Sequence, residues 1–174
     1  MSQIRTNSIV PAGGVPAGAS GGGIIQIVQA VKTDTFTTTA GNGVFVDLTG
    51  LSISITPRSA SNKILVSYMV QGCEPNNAGA HTKLQRNSVD ILLGDASSPE
   101  TRCTTGGFFR ANGNNETSAQ YIEYVDSPGT TSAVTYKVVM SGGGGFATVN
   151  RSSSTGQIYQ PRCVSVITAM EVSG

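Results

Sequence analysis

Apolar and polar residues alternate with a period of two along much of the chain after residue 23, a pattern that predicts strands rather than helices. Leu51-Ser52-Ile53-Ser54-Ile55-Thr56 alternates cleanly and stops at Pro57. Ile64, Val66, Tyr68 and Val70 share one face of a further run, with Leu65, Ser67, Met69 and Gln71 on the other. Lys83–Arg86 and Val89–Leu93 flank Asn87-Ser88, which reads as a tight hairpin because Asn tolerates a positive φ. Tyr121–Val125 ends at the turn signal Asp126-Ser127-Pro128-Gly129. Tyr136–Met140 runs into Ser141 and four glycines before Phe146–Val149 resumes. Val164–Val172 closes the chain, with Val164, Val166, Thr168, Met170 and Val172 on one side. With Ile24–Val31 as the opening run, about nine strands separated by turn-rich loops predict an all-β fold. The expected form is an antiparallel, jelly-roll-like β-sandwich over residues 24–174.

Residues 1–23 read differently. Pro11-Ala12-Gly13-Gly14-Val15-Pro16-Ala17-Gly18-Ala19-Ser20-Gly21-Gly22-Gly23 offers almost no side-chain surface to bury, so it reads as a tether. Ahead of it, Ile4, Ile9 and Val10 supply the sizeable apolar side chains. They are too few to add much core, but enough for a short strand laid on the sheet edge of a partner. Residues 1–23 are therefore expected to be an extended docking segment and Gly/Pro-rich tether.

Composition sharpens the picture. Charged residues make up 12% of the chain, about half the usual share, and Gly, Ser, Thr and Asn fill 71 of the 174 positions. A neutral polar surface of this kind opposes self-association little. A net charge of +1 without a basic run gives no footprint for nucleic acid. No apolar stretch approaches the ~18 residues of a membrane span, and Met1–Val10 lacks the apolar core of a secretory signal. The protein is expected to be made in a cytoplasm, with no membrane insertion.

Candidate chemistry is sparse. Cys73, Cys103 and Cys163 are widely spaced and read as packed free thiols. Gly72–Thr82 reads as a long loop, and His81 lies in it, after Glu74-Pro75-Asn76-Asn77-Ala78-Gly79-Ala80, with no nucleophile elbow nearby. Asp95 with Glu100, or Glu123 with Asp126, would be the carboxylate pairs of a glycosidase, but the chain has no Trp with which to stack a sugar. Asp95, Glu100 and Asp126 have a spacing unlike that of Ca²⁺ loops. Gly142–Gly145 lacks the Lys-Ser/Thr of a phosphate cradle and points to a hairpin or a close backbone approach. Arg86, Arg102, Arg110, Arg151 and Arg162 suit bidentate contacts at an interface. The expectation is a non-enzyme without catalytic residues, cofactor or metal.

Several segments carry a resemblance. Leu92-Leu93-Gly94-Asp95-Ala96-Ser97, Thr101-Arg102, and Tyr124-Val125-Asp126-Ser127-Pro128 resemble a group of tailed-bacteriophage virion proteins from marine and freshwater phages. The similarity continues through Thr130–Lys137, Val149–Ser152 and Ser165–Val172, with Val31–Phe36 and Leu51–Pro57 upstream. The resemblance implies a fibre-type or decoration-type β-domain on a phage particle and supplies no catalytic residues. Long fibre proteins place much more shaft ahead of such a domain than residues 1–23 provide. Together these readings predict a virion structural protein, a homotrimeric short tail fibre or fibre tip docked on other virion proteins. A capsid decoration or head fibre is the alternative, and a module that binds or cleaves a host-surface glycan is the second alternative.

Overall fold

The computed structural model describes residues 23–41, 43–75, 78–107 and 115–173. Eleven strands form among them: β1 (Ile24–Lys32), β2 (Phe36–Thr38), β3 (Val46–Ile55), β4 (Lys63–Cys73), β5 (Ala80–Arg86), β6 (Val89–Ile91), β7 (Thr105–Gly107), β8 (Ser118–Asp126), β9 (Val134–Gly142), β10 (Ala147–Val149) and β11 (Ser165–Val172). The two beyond the sequence expectation, β2 and β7, have three residues each, too few to establish a period. The segment read as a loop from Gly72 to Thr82 shrinks accordingly, because β4 runs to Cys73 and β5 starts at Ala80. Ile4, Ile9 and Val10 lie outside the described residues.

Every strand pairing is antiparallel, in two sheets. The register shows that several short strands are parts of longer ones. In the first sheet, β11 pairs with β4 over Lys63–Met69, and β10 continues along the same side at Gly72 and Cys73. Strands β1 and β2 follow β11 and β10 in the same way. In the second sheet, β6 pairs with β5 over Leu84–Arg86 and β7 continues it over Ala80–Thr82. The first sheet is thus four strands wide, β1/β2 then β10/β11, β4 and β8, and the second runs β3, β9, β5, β6/β7. Residues 92–104 and 150–164 are excursions that leave one strand and rejoin it.

The inner faces of both sheets merge in a single core. Ile64, Val66, Tyr68 and Val70 of β4 point into it, as their alternation predicts. From the second sheet, Leu51, Ile53 and Ile55 of β3 meet them with Tyr136, Val138 and Met140 of β9. Each such side chain contributes roughly 1.5–3 kcal/mol by leaving water. Leu48 and Leu51 are both buried although three positions apart, which a strict alternation forbids. A register shift between Asp47 and Ser52, with Gly50 at φ +90°, resets the phase. The β5–β6 hairpin turns at Asn87 and Ser88, both at positive φ, as the two-residue turn requires.

The breaks in the long strands are sealed by side chains. Asn150, buried and at φ +61°, donates its amide to the carbonyls of Lys32 (2.8 Å) and Asp34 (2.9 Å). Its Oδ1 accepts from Ser165 Oγ at 2.7 Å, so one residue satisfies the gaps between β1 and β2 and between β10 and β11. Glu171 does similar work at the other end. Fully buried on β11, it accepts hydrogen bonds from Gln26 Nε2, the Arg58 backbone N–H (2.7 Å) and Asn62 Nδ2. Burial alone would raise its carboxyl; the hydrogen bonds from Asn62, Gln26 and the 58–59 backbone outweigh it and hold the group below the ordinary carboxylate range. A carboxyl depressed in the fold stabilises it above its unfolded value, and that share is lost as pH falls through the folded value. Glu171→Gln is expected to cost about 1–3 kcal/mol in urea at pH 7 and to flatten the loss of stability on acidification. An acid transition as steep as that of the natural chain would refute this role.

Candidate interaction surfaces

The inward and outward sets of the first sheet differ less than a half-exposed sheet normally requires. On its outer face the register aligns Ile27 of β1, Met170 of β11, Leu65 of β4 and Val125 of β8 in one row across four strands. A second row aligns Val31, Val166, Met69 and Tyr121. Between them lies a polar row of Gln29, Thr168, Ser67 and Glu123, in which Gln29 Nε2 donates to Thr168 Oγ1 at 2.9 Å. Ile27, Val31, Tyr121 and Val125 are each more than half exposed. With strands ~4.8 Å apart and ~3.4 Å per residue, each apolar band is about 14 Å long and the two stand about 14 Å apart. Four exposed apolar side chains gathered on one sheet face make it a candidate contact surface.

The excursion 150–164 forms a second surface. Arg151 pins its base by donating to the carbonyls of Ser152 and Ser153 at 3.1 Å and to Thr37 Oγ1. Ser152, Thr155, Gln157, Gln160 and Arg162 help to line a cleft of about 370 Å³. Ile158 is fully exposed beside it and Tyr159 largely so.

The residues that sequence singled out for chemistry are scattered or engaged. Glu123 points outward from β8 and Asp126 inward, so they do not face one substrate. Asp126 instead accepts from Arg86 Nη1 at 2.9 Å and from Tyr136 Oη at 2.6 Å, tying the first sheet to the second. Asp95 and Glu100 are exposed in the excursion 92–104, where Arg102 donates to the Gly94 carbonyl at 2.8 Å. Among the described residues no three acidic, His or Cys side chains converge as metal ligands would. No helix among them is long and apolar enough to cross a membrane. Arg110 lies outside the described residues.

His81 requires a correction, since it belongs to β5 rather than to a loop. Ala80, Thr82 and Leu84 point inward, and the weak apolarity of Ala and Thr hides that alternation. His81 stands opposite Ser141 of β9, and neither His81 Nδ1 nor Ser141 Oγ has a partner among the described residues. Burial pushes the imidazole below its usual value and keeps it neutral. A Cβ on Gly106 would lie 2.9 Å from Cys103 Sγ and 3.4 Å from His81 Cδ2, so the thiol and the ring are neighbours. Burial raises the Cys103 thiol, the opposite of what a nucleophilic cysteine needs. Tyr68, Thr82, Thr105 and Gln120 form a hydrogen-bonded cluster on the inward side, closed by Gln120 Nε2 donating to the Ala80 carbonyl at 2.9 Å. All three cysteines are unpaired, Cys73 buried and Cys103 and Cys163 half-buried.

Gly142–Gly145 is a close backbone crossing. The Gly143 N–H donates to the Gly79 carbonyl at 2.6 Å, and a Cβ on Gly143 would collide with the Ala78 carbonyl oxygen. Sequence reasoning missed the outer bands, although a signal was present. In β4 and β8 both alternating sets are rich in apolar residues, the mark of a strand covered on both faces. The sequence matches no protein-family model, and no curated protein matches it.

Proposed function

We propose that the chain is a non-enzymatic structural protein of a tailed-phage particle, a trimeric short tail fibre or fibre tip held to the virion by residues 1–23. The strand order carries this reading. With the interrupted strands counted as one, the sheets read 1-8-3-6 and 2-7-4-5, the order produced by winding one long antiparallel hairpin into two layers. That order supports a jelly roll, an architecture shared by viral coat and lectin domains. The link from architecture to role is one of analogy and is strengthened by the virion-like segments, several of which fall in β8, β9 and β11. Capsid decoration on the phage head is the alternative placement.

A lectin-like role is the second reading. It rests on the cleft of the 150–164 excursion, whose hydroxyls, amides and Arg162 match the chemistry of a polar glycan. A glycan array probed with the full chain separates the two, because a purely structural part binds no glycan and Arg162→Ala then changes nothing.

Residues 1–23 provide the test of particle attachment. Deleting them is expected to leave the thermal stability of the sandwich nearly unchanged while abolishing incorporation into particles. A truncated chain that assembles at normal copy number, or that fails to fold, would show the docking reading to be wrong.

A further inference from the structure

We infer that the cleft of the 150–164 excursion takes an acidic saccharide, with the Arg162 guanidinium engaging the carboxylate or sulfate of one sugar. The inference rests on the lectin-like reading and deepens it by naming the ligand class.

Charge points to an anion. The excursion holds Arg151 and Arg162 and no Asp or Glu. The two arginines stand opposite each other in an isolated antiparallel bridge, so their side chains leave from neighbouring positions on one face. Like charges so placed repel, and among the described residues neither arginine is in a salt bridge. Two acids border the excursion. The Asp34 carboxylate is taken by Lys32 at 2.7 Å, and Glu116 is exposed next to Asn115. Lys32, Arg151 and Arg162 outnumber them. Arg151 spends Nη1 and Nη2 on the carbonyls of Ser152 and Ser153 and on Thr37 Oγ1. Arg162 lines the cleft, exposed, and its guanidinium has no acceptor among the described residues.

The cleft is braced from within. The Gln160 N–H donates to the Gln157 carbonyl at 3.1 Å, and Gln160 Oε1 accepts from the Gln157 N–H at 2.9 Å. Gln160 Nε2 reaches Asn115 Oδ1 at 2.8 Å, and Ser152 Oγ donates to the Ser154 carbonyl at 2.7 Å. These bonds fix the backbone and leave the Thr155 hydroxyl and the Gln157 side-chain amide unspent. A ligand therefore meets a formed surface and orders little.

Chemistry selects the class. A planar guanidinium takes a carboxylate or sulfate through two parallel N–H bonds. Hydroxyls and amides both donate and accept, as sugar hydroxyls require. The exposed Tyr159 ring next to the cleft offers an apolar face for sugar C–H groups. Nucleic acid would need a row of cations to neutralise several phosphates, which one free arginine does not supply. An acidic peptide would add to a sheet edge through main-chain bonds, whereas side chains of a turn line this cleft.

The test probes a glycan array carrying sialylated, uronic-acid, sulfated and neutral oligosaccharides with the full chain and three variants. Hexaglutamate and oligothymidylate are titrated alongside. The natural chain is expected to prefer acidic over neutral glycans at least ~10-fold. Arg162→Gln should abolish that preference, and Arg162→Lys should keep part of it, since the charge remains without the fork. Arg58→Gln, which removes an exposed arginine at the other end of the sandwich, should change nothing. Should Arg162→Gln not fold by circular dichroism, salt decides: raising it must weaken acidic but not neutral binding by the natural chain. The sialylated, uronic-acid and sulfated arms tell carboxylate from sulfate. Equal binding of neutral and acidic glycans, or a preference that survives Arg162→Gln, overturns the inference and leaves the lectin-like reading in place. Hexaglutamate or oligothymidylate bound as tightly as any glycan overturns the ligand class. A chain that binds no glycan overturns the inference and the lectin-like reading together.

Discussion

Gly143→Ala is expected to cost the fold about 3 kcal/mol or more, the upper end of what overpacking does. The added methyl meets backbone rather than a side chain: the carbonyls of Ala78 and Gly79 on one side of a hydrogen bond 2.6 Å long. Backbone there cannot yield, because Ala78 and Gly79 are themselves held by N–H bonds to the buried Glu74 carboxylate at 2.9 and 3.1 Å. Thermal midpoints should fall by roughly 6–12 °C for a domain of this size. Gly156→Ala is the control, because nothing lies within 4 Å of a Cβ built there, although its φ of +108° carries its own strain. A Gly143 variant as stable as the natural chain would contradict the crossing.

Arg86→Ala is expected to cost about 3 kcal/mol, through the buried carboxylate it leaves behind rather than through the pair itself. Asp126 is buried at the end of β8, and Arg86 and Tyr136 reach it from adjacent strands of the opposite sheet. Without the guanidinium the carboxylate keeps the Tyr136 hydroxyl and little else to replace water. The triple variant Arg86→Met, Asp126→Leu and Tyr136→Phe should recover most of the loss, since it removes the buried Tyr136 hydroxyl together with the charge pair and leaves nothing unpaired. Urea unfolding of Arg86→Ala and the triple variant decides this. Equal losses for the two would show that packing, not charge, holds this end together.

How far the chain was legible differs from element to element. In β4 the sequence separates the two alternating sets onto opposite faces, and Ile64, Val66, Tyr68 and Val70 form the buried one because all four are strongly apolar. The outer set, Leu65 and Met69, was visible too, but not its meaning. Bands arise only when register places Val125, Met170 and Ile27 alongside Leu65, and register is fixed by pairings between residues far apart in sequence. Strand β5 was partly hidden because its inward residues Ala80 and Thr82 barely differ in polarity from its outward ones. The tetraglycine points to a hairpin or a close approach without deciding between them, and the chain that approaches it, Ala78-Gly79, has no signature of its own. Glu171 sits at an inward position of a strand otherwise lined by Ile167 and Ala169, a misplaced charge that marks a buried acceptor site. Its donors come from β1 and the 57–62 turn, which no local pattern connects to it.

The central claim, that this chain is a fixed part of a particle, is tested most directly by immuno-electron microscopy of purified virions together with copy-number measurement. The account predicts label at one defined location, on the tail or on the head, and a copy number that is a multiple of three. Particles of normal appearance that lack the chain, with the protein free in the lysate, would contradict it.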